Sequence, residues 1–159
     1  MSAHEYHFVT HWRVEGTAEQ VFEILENPVD LVRWWPSVYL DVKEVEPDVF
    51  GLHTRGWLPY TLRWRLRRTE SHRPTGFSLA AWGDFEGTGV WTFANDGRYV
   101  NITYDWRIKA EKPLLRYLSF LLKPIFSANH RWAMDQGEKS LKKELRTVHS
   151  VLNFPENGV

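Results

Sequence analysis

His130 is the side chain best placed to do chemistry. It lies in an apolar stripe of Phe126, His130, Met134, Gly137, Leu141, Leu145 and Val148. Steps of three and four put these residues on one helix face. An unpaired polar group there costs about 1–3 kcal/mol, so the imidazole needs a partner or a hydrated cavity. In a cavity it could donate a hydrogen bond to a ligand or act as a general acid or base. In a packed core it would only bond a neighbouring strand. Tyr104, in a strand pattern, is the second candidate for moving a proton. Asn129, beside His130, reads as a shoulder of the stripe.

Other constellations point less sharply to chemistry. Asp84 and Glu86 could form an acid–base pair, but turn acids in water or partners of arginines have the same pattern. HEYH at 4–7 is not the helical HExxH arrangement. His7 and His11 share a strand face about 13 Å apart, too far for one ion. No metal and no cofactor is expected. Gly83, Gly87 and Gly89 precede no helix, so they are not a dinucleotide fingerprint. Arg63, Arg65, Arg67, Arg68 and Arg73 form a basic strand edge, read as a solvated sheet face. Asp105 belongs to the charged side of its strand and is expected to pair with strand arginines. Twenty basic and twenty acidic residues cancel, which argues against a nucleic-acid partner.

The aromatic content is high: nine Trp, six Tyr and nine Phe in 159 residues. Trp64, Tyr104 and Trp106 share the apolar registers of their strands, and Trp82 and Trp91 lie in strands whose inward side is open. These rings either fill a core or line a cavity. Trp34 and Trp35 end a short helix. The expected ligand-lining set is Trp34, Trp64, Trp82, Trp91, Tyr104, Trp106, Phe126, His130 and Met134.

These residues need elements to hold them. Alternation over His7–Val14 predicts a first strand. Thr17 and Gln20 form a capping-box pattern for a short helix over Ala18–Glu26. A second short helix covers Val29–Trp35 and stops at Pro36. Strands follow over Tyr39–Glu46, Val49–Trp57, Tyr60–Glu70, Phe77–Phe85, Val90–Ala94 and Val100–Ala110. Gly87-Thr88-Gly89 reads as a turn, and Asn95-Asp96-Gly97 as a hairpin. A long helix runs from Pro113 to about Val148, with a kink or break expected at Pro124. Beyond Pro124 it has room for about 34 Å, the length of a ten-residue strand. The apolar run Leu114–Leu122 is too short for a bilayer and is interrupted by Arg116. The start MSAHEYHF has neither the basic nor the apolar part of a signal peptide. A soluble cytoplasmic protein with no integral membrane segment is the expectation.

The order is one strand, two short helices, six strands and one long helix. Strands with one apolar and one charged face leave a sheet face in water. The helix must cover the other face, and a curved sheet gripping it leaves a gap. This is an α+β class, seven antiparallel strands curved around a long C-terminal helix. It forms one domain over 1–159, with a core of about 7–147 and a tail over 149–159.

VEGTAEQVFEIL, DFEGTGVWTF, VNITYDWRI and KPLLR…NHRWAMDQGEKSLKKEL, spread over residues 7–147, resemble the START-like or SRPBCC superfamily of birch-pollen allergens, polyketide cyclases and lipid-transfer domains. The resemblance implies the helix-grip fold, seven strands gripping the long helix around an apolar cavity, with Trp34 and Trp35 at the cavity mouth, one as an anchor and the other as a gate. Its members bind lipids, polyketides, sterols or hormones, and a minority catalyse cyclisation or dehydration. No motif here marks a catalytic subgroup. Three readings follow. The first is a carrier or sensor for a hydrophobic, aromatic or lipid-like small molecule. The second is a polyketide cyclase or dehydratase using the same cavity, with His130 and Tyr104 moving protons. The third is an interaction protein that forms a homodimer or meets a partner through Leu114–Leu122.

Overall fold

The computed structural model describes the backbone of residues 5–110 and 113–152, and the side chains of 5–109 and 123–148. The elements are β1 (Glu5–Glu15), α1 (Ala18–Leu25), a 3-10 turn (Pro28–Asp30), α2 (Leu31–Trp34), β2 (Tyr39–Glu46), β3 (Val49–Arg55), β4 (Thr61–His72), β5 (Gly76–Gly83), β6 (Phe85–Asp96), β7 (Tyr99–Ala110) and α3 (Pro113–Leu152). The strands form one antiparallel sheet in the order β1-β7-β6-β5-β4-β3-β2. This is the expected α+β helix-grip architecture.

Strand phase follows from alternation. In β1, Trp12 and Val14 are buried while His7, His11 and Arg13 are exposed. In β4, Trp64 and Leu66 turn inward, and Arg63, Arg65 and Arg67 meet water. On the outer face His7 pairs with Asp105 at 3.0 Å, and Arg107 meets the same carboxylate at 3.3 Å. His11 bonds the Thr103 hydroxyl instead. The two histidines therefore serve separate partners.

The capping box at Thr17 is present, with the Gln20 N–H donating to the hydroxyl and the Gln20 side chain accepting from the Thr17 N–H. The helix it starts buries Ala18, Val21, Phe22 and Leu25. Its outer acids Glu19, Glu23 and Glu26 converge on Arg73 of the β4–β5 connection. The second short helix is tied to α3 by Arg33, which bonds Asp30 at 2.7 Å and Glu144 at 2.5 Å. Those bonds raise the Arg33 pKa and keep the guanidinium charged.

Two expectations need correction. The Gly87-Thr88-Gly89 stretch is no turn, because β6 runs unbroken from Phe85 to Asp96. The chain reverses at Gly83 and Asp84 instead. Gly83 has φ of +129°, a region that side chains disfavour. The Asp84 carboxylate accepts from the Arg63 N–H and its own N–H donates to the Arg63 carbonyl. Second, α3 is continuous across Pro124, so the proline does not break it. The helix also extends to Leu152, into the stretch expected as a tail. The side chains of Leu114–Leu122, expected as a partner surface, lie outside the described residues.

The helix lies against β1, β7 and α2. Edge strand β1 presents the Arg13 N–H to the Glu138 carboxylate of α3 at 3.2 Å. Met134, Gly137, Leu141 and Leu145 of the apolar stripe are buried. Gly137 is there for space: a Cβ would fall 2.3 Å from the Trp35 ring. The absent side chain lets the tryptophan lie on the helix.

Candidate functional site

The stripe toward the N-terminal end of α3 does not close on the sheet. A cavity of about 170 Å³ separates Phe126, Asn129, His130, Ala133 and Met134 from the inner faces of the strands. Its walls come from Tyr6 and Phe8 of β1, Thr54 of β3, Leu62 and Trp64 of β4, Phe85 of β6, and Tyr104, Trp106 and Ile108 of β7. Trp35, Val38 and Tyr39 also line it, and the exposed Arg55, bonded to Val38, lies at its border with Gly56 and Tyr60.

Local sequence explains the aromatic wall. Trp91 pairs with Tyr104, and Gly89 with Trp106, across β6 and β7. The Trp91 and Tyr104 rings stack at 4.0 Å and 12°. Trp106 continues the stack at 5.5 Å from Tyr104, and Trp64 and Phe85 flank it. A Cβ at Gly89 would come within 3.0 Å of both the Tyr104 and Trp106 rings. Gly89 of DFEGTGVWTF thus allows these two rings to lie flat over the strand. Trp64 satisfies its indole N–H on the buried Thr54 hydroxyl at 3.0 Å.

The polar groups of the cavity are held neutral. The His130 ring stacks on Phe8 at 4.1 Å and 17°. Its Nε2 is buried and has no hydrogen-bond partner among the described residues. Burial pulls its pKa down to about 4, so it is an uncharged imidazole at pH 7, able to donate from one nitrogen and accept at the other. Burial raises the phenols as well. Tyr60 is pushed up to about 12, with a further contribution from Tyr6. Tyr39 is raised by burial alone. Tyr104 goes well above the ordinary value, with Tyr39 adding to the effect of burial. Among the described lining residues the single formal charge is Arg55.

Asn129 ties the β3–β4 connection to the helix, its Oδ1 accepting from the Leu58 N–H at 3.2 Å. Gly56 lies directly beneath, where a Cβ would sit 2.1 Å from that oxygen. The chemical repertoire of the site is therefore apolar enclosure, aromatic stacking, neutral hydrogen-bond donors and acceptors inside, and one guanidinium, that of Arg55, at the border.

Of the expected lining residues, Trp64, Tyr104, Trp106, Phe126, His130 and Met134 meet at this cavity. No hydrogen bond joins His130 to Tyr104. Trp91 instead borders a smaller void of about 40 Å³, behind a wall of Trp35, Tyr39, Trp64 and Tyr104. Trp82 stands on the outer face opposite Arg65, in a shallow groove with Lys43 and Arg63, so its ring cannot reach the cavity. Trp34 is buried but lies outside the lining; its neighbour Trp35 takes that place, edge-on to Trp12 and Tyr39. Asp84 and Glu86 are absent from the lining.

Sequence reasoning missed Tyr39, Tyr60 and Phe85 as lining residues, and of the pair Trp34 and Trp35 it placed the wrong one in the lining. Tyr39 and Phe85 are the first residues of their strands and Tyr60 lies just before one, where alternation has no established phase. Gly137 in the stripe was the signal for Trp35, since a gap on a helix face invites a ring.

No family model and no curated protein matches this chain. Solved structures do match in fold. The Zhui aromatase/cyclase from Streptomyces sp. R1128 superposes with TM-score 0.69 at 16% identity, covering 98% of this chain and all of that one. A START superfamily protein from Mycobacterium smegmatis gives 0.69 at 10% identity, covering 89% and 98%. A conserved protein from Geobacillus kaustophilus gives 0.68 at 13% identity, covering 87% and 96%. The fold is the START-like helix-grip fold. At these identities the likeness extends to architecture alone. Among the described residues, no helix is long and apolar enough to cross a membrane.

Proposed function

We propose that this chain binds a compact hydrophobic or aromatic small molecule in the cavity beneath α3, as a cytoplasmic carrier or sensor. The observation that carries the reading is an apolar, aromatic-walled space of about 170 Å³ whose inner polar groups are neutral. An apolar cavity of about 150 Å³ holds benzene, whereas drug-sized ligands occupy roughly 300–1,000 Å³. A single ring or compact bicycle therefore suits the space as it stands. A long acyl or polyketide chain would require the walls to move.

Titration calorimetry with indole and naphthalene tests this. Saturable binding with a negative heat-capacity change is expected, and it is lost when Ala133→Phe fills the space from the helix side. Absence of binding by both compounds would remove the reading.

The cyclase or dehydratase reading rests on one specific feature, the unpartnered Nε2 of a neutral His130 bordering the same cavity as Tyr104. Such a base can take a proton from a bound carbonyl compound. Aromatase/cyclase structures share the fold. On a confirmed substrate, His130→Phe would cut turnover by about 10²–10⁴; unchanged turnover would end this assignment.

A further inference from the structure

Arg55 is the lone formal charge among the described cavity-lining residues, and it lies at the exposed border. Its position is fixed twice. The backbone N–H donates to the Val38 carbonyl at 2.9 Å, and the side-chain Nε donates to the Ser37 carbonyl at 3.1 Å. These bonds hold the root and neck of the guanidinium. Among the described residues, its two Nη groups have no partner and no carboxylate pairs with it.

Most other arginines that bond through their side chains elsewhere in the chain do meet a carboxylate. Arg13 meets Asp96, Arg33 meets Asp30 and Glu144, and Arg73 meets three glutamates. Arg55 is anchored to a carbonyl, lies at the exposed border of an apolar cavity and has no carboxylate partner among the described residues. A planar guanidinium with two free Nη groups matches a carboxylate in a bidentate contact. A doubly charged phosphate would call for a second cation, and the lining supplies none.

The interior fixes the orientation of such a ligand. No cation lies deep in the cavity, so a carboxylate buried there would lose its hydration without compensation. The anionic end must stay at the border, and the apolar body points toward Trp64, Trp106 and His130.

We infer that the ligand is a compact aromatic or aliphatic monocarboxylate, its apolar body filling the cavity and its carboxylate held at the border by Arg55. This rests on the cavity-binding reading above and adds the chemical class.

The test compares 3-phenylpropionate with 3-phenylpropanamide by titration calorimetry at pH 7, on the wild type and on Arg55→Gln. The acid binds the wild type about tenfold tighter than the amide, the low end for a hydrogen bond to a charged group at an exposed site. The gap closes in Arg55→Gln, shrinks with added salt, and survives in part in Arg55→Lys. Equal affinity of acid and amide for the wild type overturns the assignment to a carboxylate while leaving cavity binding intact. A gap that persists in Arg55→Gln overturns the role of Arg55. Binding of neither compound overturns both readings.

Discussion

Replacing His130 by Phe should stabilise the protein, and by more in acid than at neutral pH. At pH 7 the imidazole is uncharged, stacked on Phe8, with Nε2 buried and unpartnered. A benzene ring keeps the stack and removes the orphaned nitrogen, whose desolvation costs about 1–3 kcal/mol. The adjoining cavity has space for the slightly larger ring, so a gain of about 1 kcal/mol is expected. The pH dependence follows from burial. The folded-state pKa is about 4 against an ordinary 6.5. Between those values the unfolded chain binds a proton at this residue and the folded chain does not. Stability conferred by the wild-type residue is therefore full above pH 6.5 and falls as pH drops toward 4. At about 1.36 kcal/mol per pH unit that amounts to about 3 kcal/mol. The phenols of Tyr39, Tyr60 and Tyr104 are raised and stay neutral across this range. Every other group is common to both proteins, so the difference between them isolates His130. Urea denaturation at pH 7, 6, 5 and 4, on protein refolded from denaturant to strip bound molecules, provides the measurement. A difference that does not grow as pH falls would contradict the burial of a neutral imidazole. Loss of more than 1 kcal/mol in the variant at pH 7 would mean that His130 makes a stabilising bond.

Other perturbations probe the frame. Gly137→Ala would normally gain about 1 kcal/mol of helix propensity, but its Cβ meets the Trp35 ring at 2.3 Å. Overpacking should win, for a net loss of about 1–2 kcal/mol in urea denaturation, and a stabilised variant would show that Trp35 does not rest on α3. Thr54→Val strands the Trp64 indole N–H, now bonded at 3.0 Å in the interior; a loss of about 1–3 kcal/mol is expected, and a neutral result in thermal melts would argue against that bond. Gly89→Ala pushes a methyl group against Tyr104 and Trp106. It should alter the near-ultraviolet circular dichroism of the stacked rings and lower stability, and an unchanged spectrum would contradict the packing.

Much of the architecture can be read from local pattern. Alternation in β1 and β4 separates Trp12, Val14, Trp64 and Leu66 from the charged face, and the spacing of the α3 stripe selects its buried residues. The glycines mislead because the same residue serves two physical ends. Gly83 turns the chain with a positive φ, while Gly89 lies within a strand and makes room for rings from the next one. Local sequence does not distinguish a bend from a close approach. The cavity is legible only in part for a related reason. Trp64, Tyr104, Trp106 and His130 announce themselves through the phase of their elements. Trp35, Tyr39 and Phe85 depend on how two distant segments meet. Arg55, at the end of a strand, has its neighbours set by the fold, and its lack of a carboxylate partner among the described residues cannot be seen from residue type.

The claim that the space beneath α3 holds a small molecule is tested most directly by native mass spectrometry of the protein as purified, paired with analysis of its organic extract. The account predicts a bound mass of single-ring or compact two-ring size, recovered in the extract and absent from Ala133→Phe. A wild-type protein that carries no small molecule and takes up none from an added pool of aromatic compounds would contradict it.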